Sequence, residues 1–259
     1  MYEKLGSAEK EMPEHEKWAR ILQAVHNDLD QHPVVSLTNY EAEINERLSE
    51  TYLNKLLSNL QHKAASNQSD GETTHFSVVD KNGMAVAVTA SINAYFGAKA
   101  SSADLGFLYN SYMDDFEFGK PDHPDAIRPG AMAFSSMSPT IVQKNGKTVL
   151  IVGSPGSKRI ISTVAQVVES WIHKNDIEEA VNKKRFHISG KNFYVEDLSL
   201  AEKLLPSGLA DLKILKAGND LFHNGFNAYY GGVHAIGWQN GKWIGTADPR
   251  RDGTVGYTK

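Results

Sequence analysis

The stretch Glu72-Thr73-Thr74-His75-Phe76-Ser77-Val78-Val79-Asp80 decides how this sequence is read. Its β-branched and aromatic residues predict a strand. Met84–Ala90 predicts a second, and Asp80-Lys81-Asn82-Gly83 lies between them. Asn-Gly tolerates the positive φ that tight hairpin turns require, so the two segments read as one hairpin. The strand starts at a threonine, directly after Ala64–Glu72, a polar run of small residues that reads as an exposed linker. A chain cut between Glu72 and Thr73 would leave a free α-amine beside the Thr73 hydroxyl. That hydroxyl is a poor nucleophile alone, and an amine with a pKa of about 7.7–8.0 can accept its proton. A strand that merely begins with β-branched residues accounts for Thr-Thr equally well at this point.

Working outward, Thr140–Gln143 and Thr148–Val152 flank Lys144-Asn145-Gly146-Lys147, a second hairpin of the same kind. Gly153-Ser154-Pro155-Gly156-Ser157 then leads into a predicted helix over about Lys158–His173, followed by a shorter one over Asp176–Lys183. Phe193–Val195, Leu212–Lys216, Val233–Trp238 and Trp243–Ala247 predict further strands. Upstream, Trp18, Ile21, Leu22 and Val25 place an amphipathic helix over Glu14–Leu29. Ile44, Leu48, Tyr52, Leu53, Leu56, Leu57 and Leu60 predict a single helix over about 40–62. Composition changes at the linker, which divides the chain into a glycine-poor helical segment, 1–72, and a second domain, 73–259. Hairpins alternating with helix pairs predict an α+β fold of antiparallel sheets flanked by helices, not a parallel doubly wound sheet.

The 259 residues, 41% of them hydrophobic, suffice for one or two domains with a real core. The sequence has no cysteine, which excludes disulfides, thiolate zinc sites, iron–sulfur clusters and a cysteine nucleophile. None of the ten histidines falls in His-Glu-x-x-His spacing, and no metal or organic cofactor is expected. A net charge of −4 without a concentrated basic face argues against a nucleic-acid partner. No apolar run approaches the ~18–20 residues of a membrane span. The first residues carry no signal-peptide pattern, and they leave the compartment open. Asn67-Gln68-Ser69 matches a glycosylation triplet, a pattern frequent by chance.

Several blocks occur in order. Thr73–Asp80 comes first, then Ser91-Ile92-Asn93-Ala94-Tyr95-Phe96-Gly97, Met113-Asp114-Asp115-Phe116 and Ser135-Ser136-Met137-Ser138-Pro139-Thr140. Gly153-Ser154-Pro155-Gly156, Ala180–His187 with Arg185, and Ala247-Asp248-Pro249-Arg250-Arg251 through Gly256-Tyr257 complete the series. Together they resemble the small subunit of the γ-glutamyltranspeptidase family, over residues 73–259. The resemblance implies an N-terminal-nucleophile hydrolase with a layered αββα sandwich, cut between Glu72 and Thr73. It implies transfer or hydrolysis of a γ-glutamyl group through an acyl-threonine, from glutathione or a γ-glutamyl amide to an amino acid or water. Relatives of the same architecture act on poly-γ-glutamate or acylated cephalosporins, and a non-catalytic binding role is the further alternative.

By resemblance Thr73 is the nucleophile, and Ser91 stands where the family has a supporting threonine. Asn93 and Asp115 match residues that hold the donor's amino end, Ser135 and Ser136 match binders of its α-carboxylate, and the backbone at Gly156 and Ser157 matches the oxyanion hole. Three positions depart from the pattern. Tyr112 replaces a Gln or Glu that helps bind the donor amine. Ser157 replaces a second glycine, so that any positive φ there would be strained. Ser91 replaces threonine and keeps the hydroxyl. Family precursors carry several hundred residues before the nucleophile, against 72 here, and the arginine that grips the donor carboxylate has no counterpart in the sequence. A large-subunit-like partner or self-association is therefore expected, and the resemblance suggests a periplasmic or extracellular setting.

Overall fold

In a computed structural model, residues 12–32, 38–58, 71–190, 192–204, 211–214 and 225–258 are described. The Asn67 triplet, most of the expected linker and the end of the expected 40–62 helix lie outside them. The helices are α1 (Glu14–Gln31), α2 (Tyr40–Arg47), α3 (Glu50–Ser58), α4 (Arg159–Lys174), α5 (Ile177–Asn182) and α6 (Leu198–Leu204). The strands are β1 (Glu72–Val79), β2 (Ala85–Asn93), β3 (Thr140–Lys144), β4 (Lys147–Gly153), β5 (Phe186–Ser189), β6 (Asn192–Val195), β7 (Asp211–Ile214), β8 (His234–Gln239) and β9 (Lys242–Ala247). The chain forms two compact units. One takes in the described residues within Met1–Asn67, with Tyr112–Ser135 and His187–Ile214; the other takes in those within Gln68–Ser111, Ser136–Phe186 and Leu215–Lys259.

In the first unit α1 buries Ala19, Ile21, Leu22, Gln23, Ala24 and His26, positions that run around the helix. His26 meets His187 edge-on at 5.0 Å between ring centroids. The single helix expected over 40–62 is two helices. Ser49 ends the first and caps the second, its Oγ accepting from the Tyr52 N–H at 3.2 Å, a local bond with which serine competes against helix continuation. Tyr52 donates to Asp28 Oδ1 at 2.7 Å. Burial, and then the Asp28 carboxylate, push its phenol up to about 12. β6 and β7 pair in parallel, an exception to the antiparallel expectation.

The second unit is layered. β3-β4-β8-β9 form an antiparallel sheet, and β1-β2 a separate antiparallel ribbon packed against it. Leu150, Val152, Val233 and Ala235 face α4 and α5, where Ile160, Val164, Val167, Trp171, Ile177, Ala180 and Val181 complete the core. Each such aliphatic side chain contributes roughly 1.5–3 kcal/mol on burial. Asn175 ends α4 in the left-handed region, and Asp176 caps α5 by accepting from the Glu179 N–H at 3.0 Å. Among the described residues no helix is long and apolar enough to cross a membrane.

Two of the sequence blocks meet in this unit. Arg185 Nη1 donates to Asp248 Oδ2 at 2.6 Å, with both side chains buried. Asp248 also accepts from the Val233 and Arg250 amides at 2.9 and 3.1 Å, and from Arg250 Nη1 at 3.0 Å. Burial alone would raise the Asp248 carboxyl. The Arg185 and Arg250 guanidiniums, with the Val233 N–H, overcome that and hold it below its ordinary value. A depressed carboxyl contributes stability above the unfolded-state pKa and loses it only as pH falls through the folded value. Replacing Asp248 with Asn leaves two buried guanidiniums short of their counter-charge. We expect urea denaturation at pH 7 to show a loss of about 3–5 kcal/mol; a loss below about 1 kcal/mol would contradict a structural role for the ion pair.

Candidate active site

The site begins with an irregularity in the β1–β2 ribbon. Thr73 lies opposite Ser91, but Glu72 lies opposite Asn93, so the register shifts at the Glu72–Thr73 peptide. Such a bulge re-aims the groups beside it. Thr73 Oγ1 donates to Ser91 Oγ at 3.0 Å. Ser91 Oγ donates to the Glu72 carbonyl at 3.0 Å and accepts from the Asn93 N–H at 3.0 Å. Its one donor and both acceptor positions are thus used. A single hydroxyl joins the Thr73 side chain to the carbonyl of the bond preceding Thr73. Asn93 is held at φ 68°, and its Nδ2 donates to Ser111 O at 3.3 Å.

His75 lies two residues on in the same strand. It points inward, where Gly153 of β4 leaves room: a Cβ at Gly153 would lie 2.3 Å from the imidazole. Nδ1 contacts Thr89 Oγ1 at 2.8 Å and Nε2 contacts Ser77 Oγ at 3.0 Å. Ser77 gives its proton to the His234 carbonyl, at 3.3 Å. The His75 proton therefore sits on Nε2, and Thr89 donates to Nδ1. His234 Nδ1 in turn donates to His75 O at 2.6 Å. Burial, and then the neighbouring His234, depress the His75 imidazole to about 4.

The glycine loop follows β4. Gly156 has φ 135° and Ser157 φ 55°, so the serine occupies the left-handed region that its replacement of glycine puts under strain, a cost of roughly 1–2 kcal/mol. Ser136 Oγ anchors the strained residue by donating to Ser157 O at 2.8 Å. Beneath the loop, Ser154 Oγ accepts from the Gly232 N–H at 3.1 Å and donates to Pro155 O at 2.7 Å. Gly231 permits this approach, since a Cβ there would stand 2.5 Å from Ser154 Oγ. Among the described residues no group of three or more His, Asp or Glu could hold a metal ion.

One unit thus carries Thr73, Ser91 and Asn93 together, and Ser136 beside Ser157 and Gly156. Tyr112, Asp115 and Ser135 belong to the other unit. There Tyr112–Asp115 form a single 3₁₀ turn, with Tyr112 and Asp115 half-buried and Asp114 exposed. Ser135 is exposed.

The sequence model for Gamma-glutamyltranspeptidase matches residues 1–258. The chain belongs to the γ-glutamyltranspeptidase family. It is 39% identical over 200 residues to the glutathione hydrolase proenzyme of Escherichia coli K12, covering 72% of this chain and 33% of that one. It is 36% identical over 195 residues to the corresponding proenzyme of Pseudomonas aeruginosa, covering 70% and 34%. The chain therefore spans about a third of the length of these curated relatives. Among solved structures, a mutant γ-glutamyltranspeptidase of Helicobacter pylori superposes with a TM-score of 0.58 at 37% identity, over 69% of this chain and 100% of that chain. A cephalosporin acylase of Bacillus halodurans shares the fold, with a TM-score of 0.77 at 19% identity over 94% of this chain and 44% of that one. This γ-glutamyltranspeptidase-family chain is thus α+β, of the N-terminal-nucleophile type.

Because the folded His75 binds its proton more weakly than the unfolded residue, stability is complete above pH 6.5 and falls as pH drops toward 4. We expect a decline of about 1–3 kcal/mol across that interval, measured by urea midpoints at stepped pH. His75→Asn should flatten the slope there; an unchanged slope would show that other groups govern it.

Proposed function

We propose that this chain cuts its own backbone between Glu72 and Thr73, and that Thr73 then carries the γ-glutamyl group of a small donor. The observation that carries the reading is the bond sequence Thr73 Oγ1 to Ser91 Oγ to Glu72 O, at 3.0 Å for each step. The Thr73 oxygen adds to the Glu72 carbonyl carbon while Ser91 hydrogen-bonds the carbonyl oxygen. The hydroxyl proton passes through Ser91 to the departing amide nitrogen, the C–N bond breaks, and an ester remains. Water hydrolyses the ester to a Glu72 carboxylate and a free Thr73. Its α-amine, with an unperturbed pKa of about 7.7–8.0, then serves as general base for attack on the donor. The acyl-threonine passes its group to water or an amino acid.

The remaining roles follow family membership. Asp115 and Asn93 meet the donor ammonium, Ser135 and Ser136 its α-carboxylate, and the Gly156 and Ser157 amides the developing oxyanion. A large-subunit-like partner or a second copy would complete the carboxylate grip. A second reading keeps this chemistry and changes the acyl group. The chain is 31% identical over 185 residues to the acylase ACY 1 proenzyme of a Pseudomonas, covering 71% of this chain and 31% of that one. Tyr112, which brings neither amide nor carboxylate to the donor amine, favours the same shift.

Intact mass after incubation at neutral pH should reveal a fragment running from Thr73 to Lys259. Thr73→Ala should abolish the fragment and lower turnover by about 10³-fold or more; a Thr73→Ala chain still cut ahead of residue 73 would refute the nucleophile assignment. Joint Ser135→Ala and Ser136→Ala should raise donor KM on the order of tenfold or more, and an unchanged KM would remove the carboxylate role. Glutathione, a γ-glutamyl anilide and a glutaryl amide, compared as donors, separate the two readings.

A further inference from the structure

Beside the Glu72–Thr73 bond lies a cavity of about 380 Å³, lined by Gly71, Glu72, Arg159, Arg250, Arg251 and Asp252, with Tyr95 and Ala228 closing it. Its three arginines are not equivalent. Arg250 is buried, and it is bound to Asp248 and to the carbonyls of Val181 and Lys183 at 3.1 and 3.0 Å. Arg159 is buried and lies 4.1 Å over the Tyr229 ring. Among the described residues the Arg251 side chain makes a single hydrogen bond, from Nη2 to Ala228 O at 3.2 Å, and its Nε is buried without a partner. Two guanidiniums share this space, and the Arg251 guanidinium loses proton affinity first to burial and then to the Arg159 charge; Tyr95, Asp248 and Glu72 act in the opposite sense. Such a pair demands an anion.

The backbone is shaped to bring Arg251 here. A Cβ at Gly232 would fall 2.6 Å from Arg251 Cδ, so the glycine leaves the path that the side chain takes. Gly71, which also lines the cavity, packs against Asn93, where a Cβ would stand 2.9 Å from Asn93 O, and this fixes the chain just ahead of Glu72. Asp248 is already filled by Arg185 and Arg250. Asp252 follows Arg251 directly in the chain, and Glu72 is the lining carboxylate that comes from another strand.

We propose that Arg251, backed by Arg159, is an anion site that seats the Glu72 carboxylate and so anchors the residue immediately ahead of Thr73. Arg251 is a positioning residue: it clamps one side of the bulge while Ser91 holds the Glu72 carbonyl on the other. The consequence for self-cleavage rests on the function proposed above; the anchor itself does not.

The test is made on the full chain, in two arms. On the uncleavable Thr73→Ala background, a double-mutant cycle of Glu72→Arg and Arg251→Glu is read by urea denaturation. Each single change should lower the midpoint, and the swapped pair should recover most of the loss. In the second arm, with Thr73 intact, each single change should slow appearance of the Thr73–Lys259 fragment on the order of tenfold. The swapped pair should restore the rate, and Arg251→Lys should retain more of it than Arg251→Met. Additive stability losses in the cycle overturn the proposal whether or not the parent is cut. Coupling in the cycle with an uncut parent keeps the anchor and discards the self-cleavage reading. A cut parent whose rate ignores both charge reversals removes Arg251 from positioning.

Discussion

The Asp248 carboxylate, buried between Arg185 and Arg250, is the interaction from which the geometry of the second unit follows. Its four hydrogen bonds join the end of β9, the entry to β8 and the link between α5 and β5. Arg185 extends the network, donating to Val181 O at 2.7 Å and Tyr230 O at 3.0 Å. Tyr230 O also accepts from Thr163 of α4, at 2.9 Å. The turn over Tyr230–Gly232 is therefore held from both sides, and through Gly232 N–H and Ser154 Oγ it supports the glycine loop. A buried ion pair is weak evidence for net stability, because desolvation opposes the Coulomb gain. Here it braces the turn that supports the loop carrying the strained Ser157.

A second constraint is the narrowness of the β1–β2 ribbon. Side chains alternate across a strand, so Thr73, His75 and Ser77 share the inward face while Thr74, Phe76 and Val78 face outward. A slip of one residue would turn Thr73 out and Thr74 in. His75 opposes it: its ring sits over Gly153, and its hydrogen bonds to Thr89 and Ser77 are made in this register. The same histidine is neutral because it is buried, which couples the placement of Thr73 to pH.

The hairpins, the helix pair and the α+β class were legible because they rest on local signals: Asn-Gly turns, period-two alternation and the Ile160–Val164–Val167–Trp171 spacing. The split at Ser49 was not, since one serine outweighs an otherwise continuous apolar stripe through its bond to Tyr52 N–H. The strand Phe186–Ser189 escaped notice because four buried residues carry no periodicity. Resemblance pointed to Arg185 and Asp248 as parts of separate blocks, but only the tertiary fold brings them within 2.6 Å. Arg159 carried no signal beyond its place in the first helical turn after a glycine loop. The strain expected at Ser157 could be stated conditionally from sequence, and the backbone meets the condition with φ 55°.

Ser91 needs only its hydroxyl for the bonds it makes. Its acceptor positions take the Thr73 hydroxyl and the Asn93 amide, and its proton goes to Glu72 O. None of these bonds involves a γ-methyl, so serine reproduces them all. What the methyl would supply is rotamer restriction, because two heavy atoms on Cβ limit χ1. In this chain the three hydrogen bonds themselves select the rotamer. On the proposed function, cutting the Glu72–Thr73 bond removes one of the three and frees the Ser91 proton for a new acceptor. The same event creates an α-amine within reach of the Thr73 hydroxyl. The group that organises cleavage is thereby released, by the cleavage itself, to support the nucleophile it has produced.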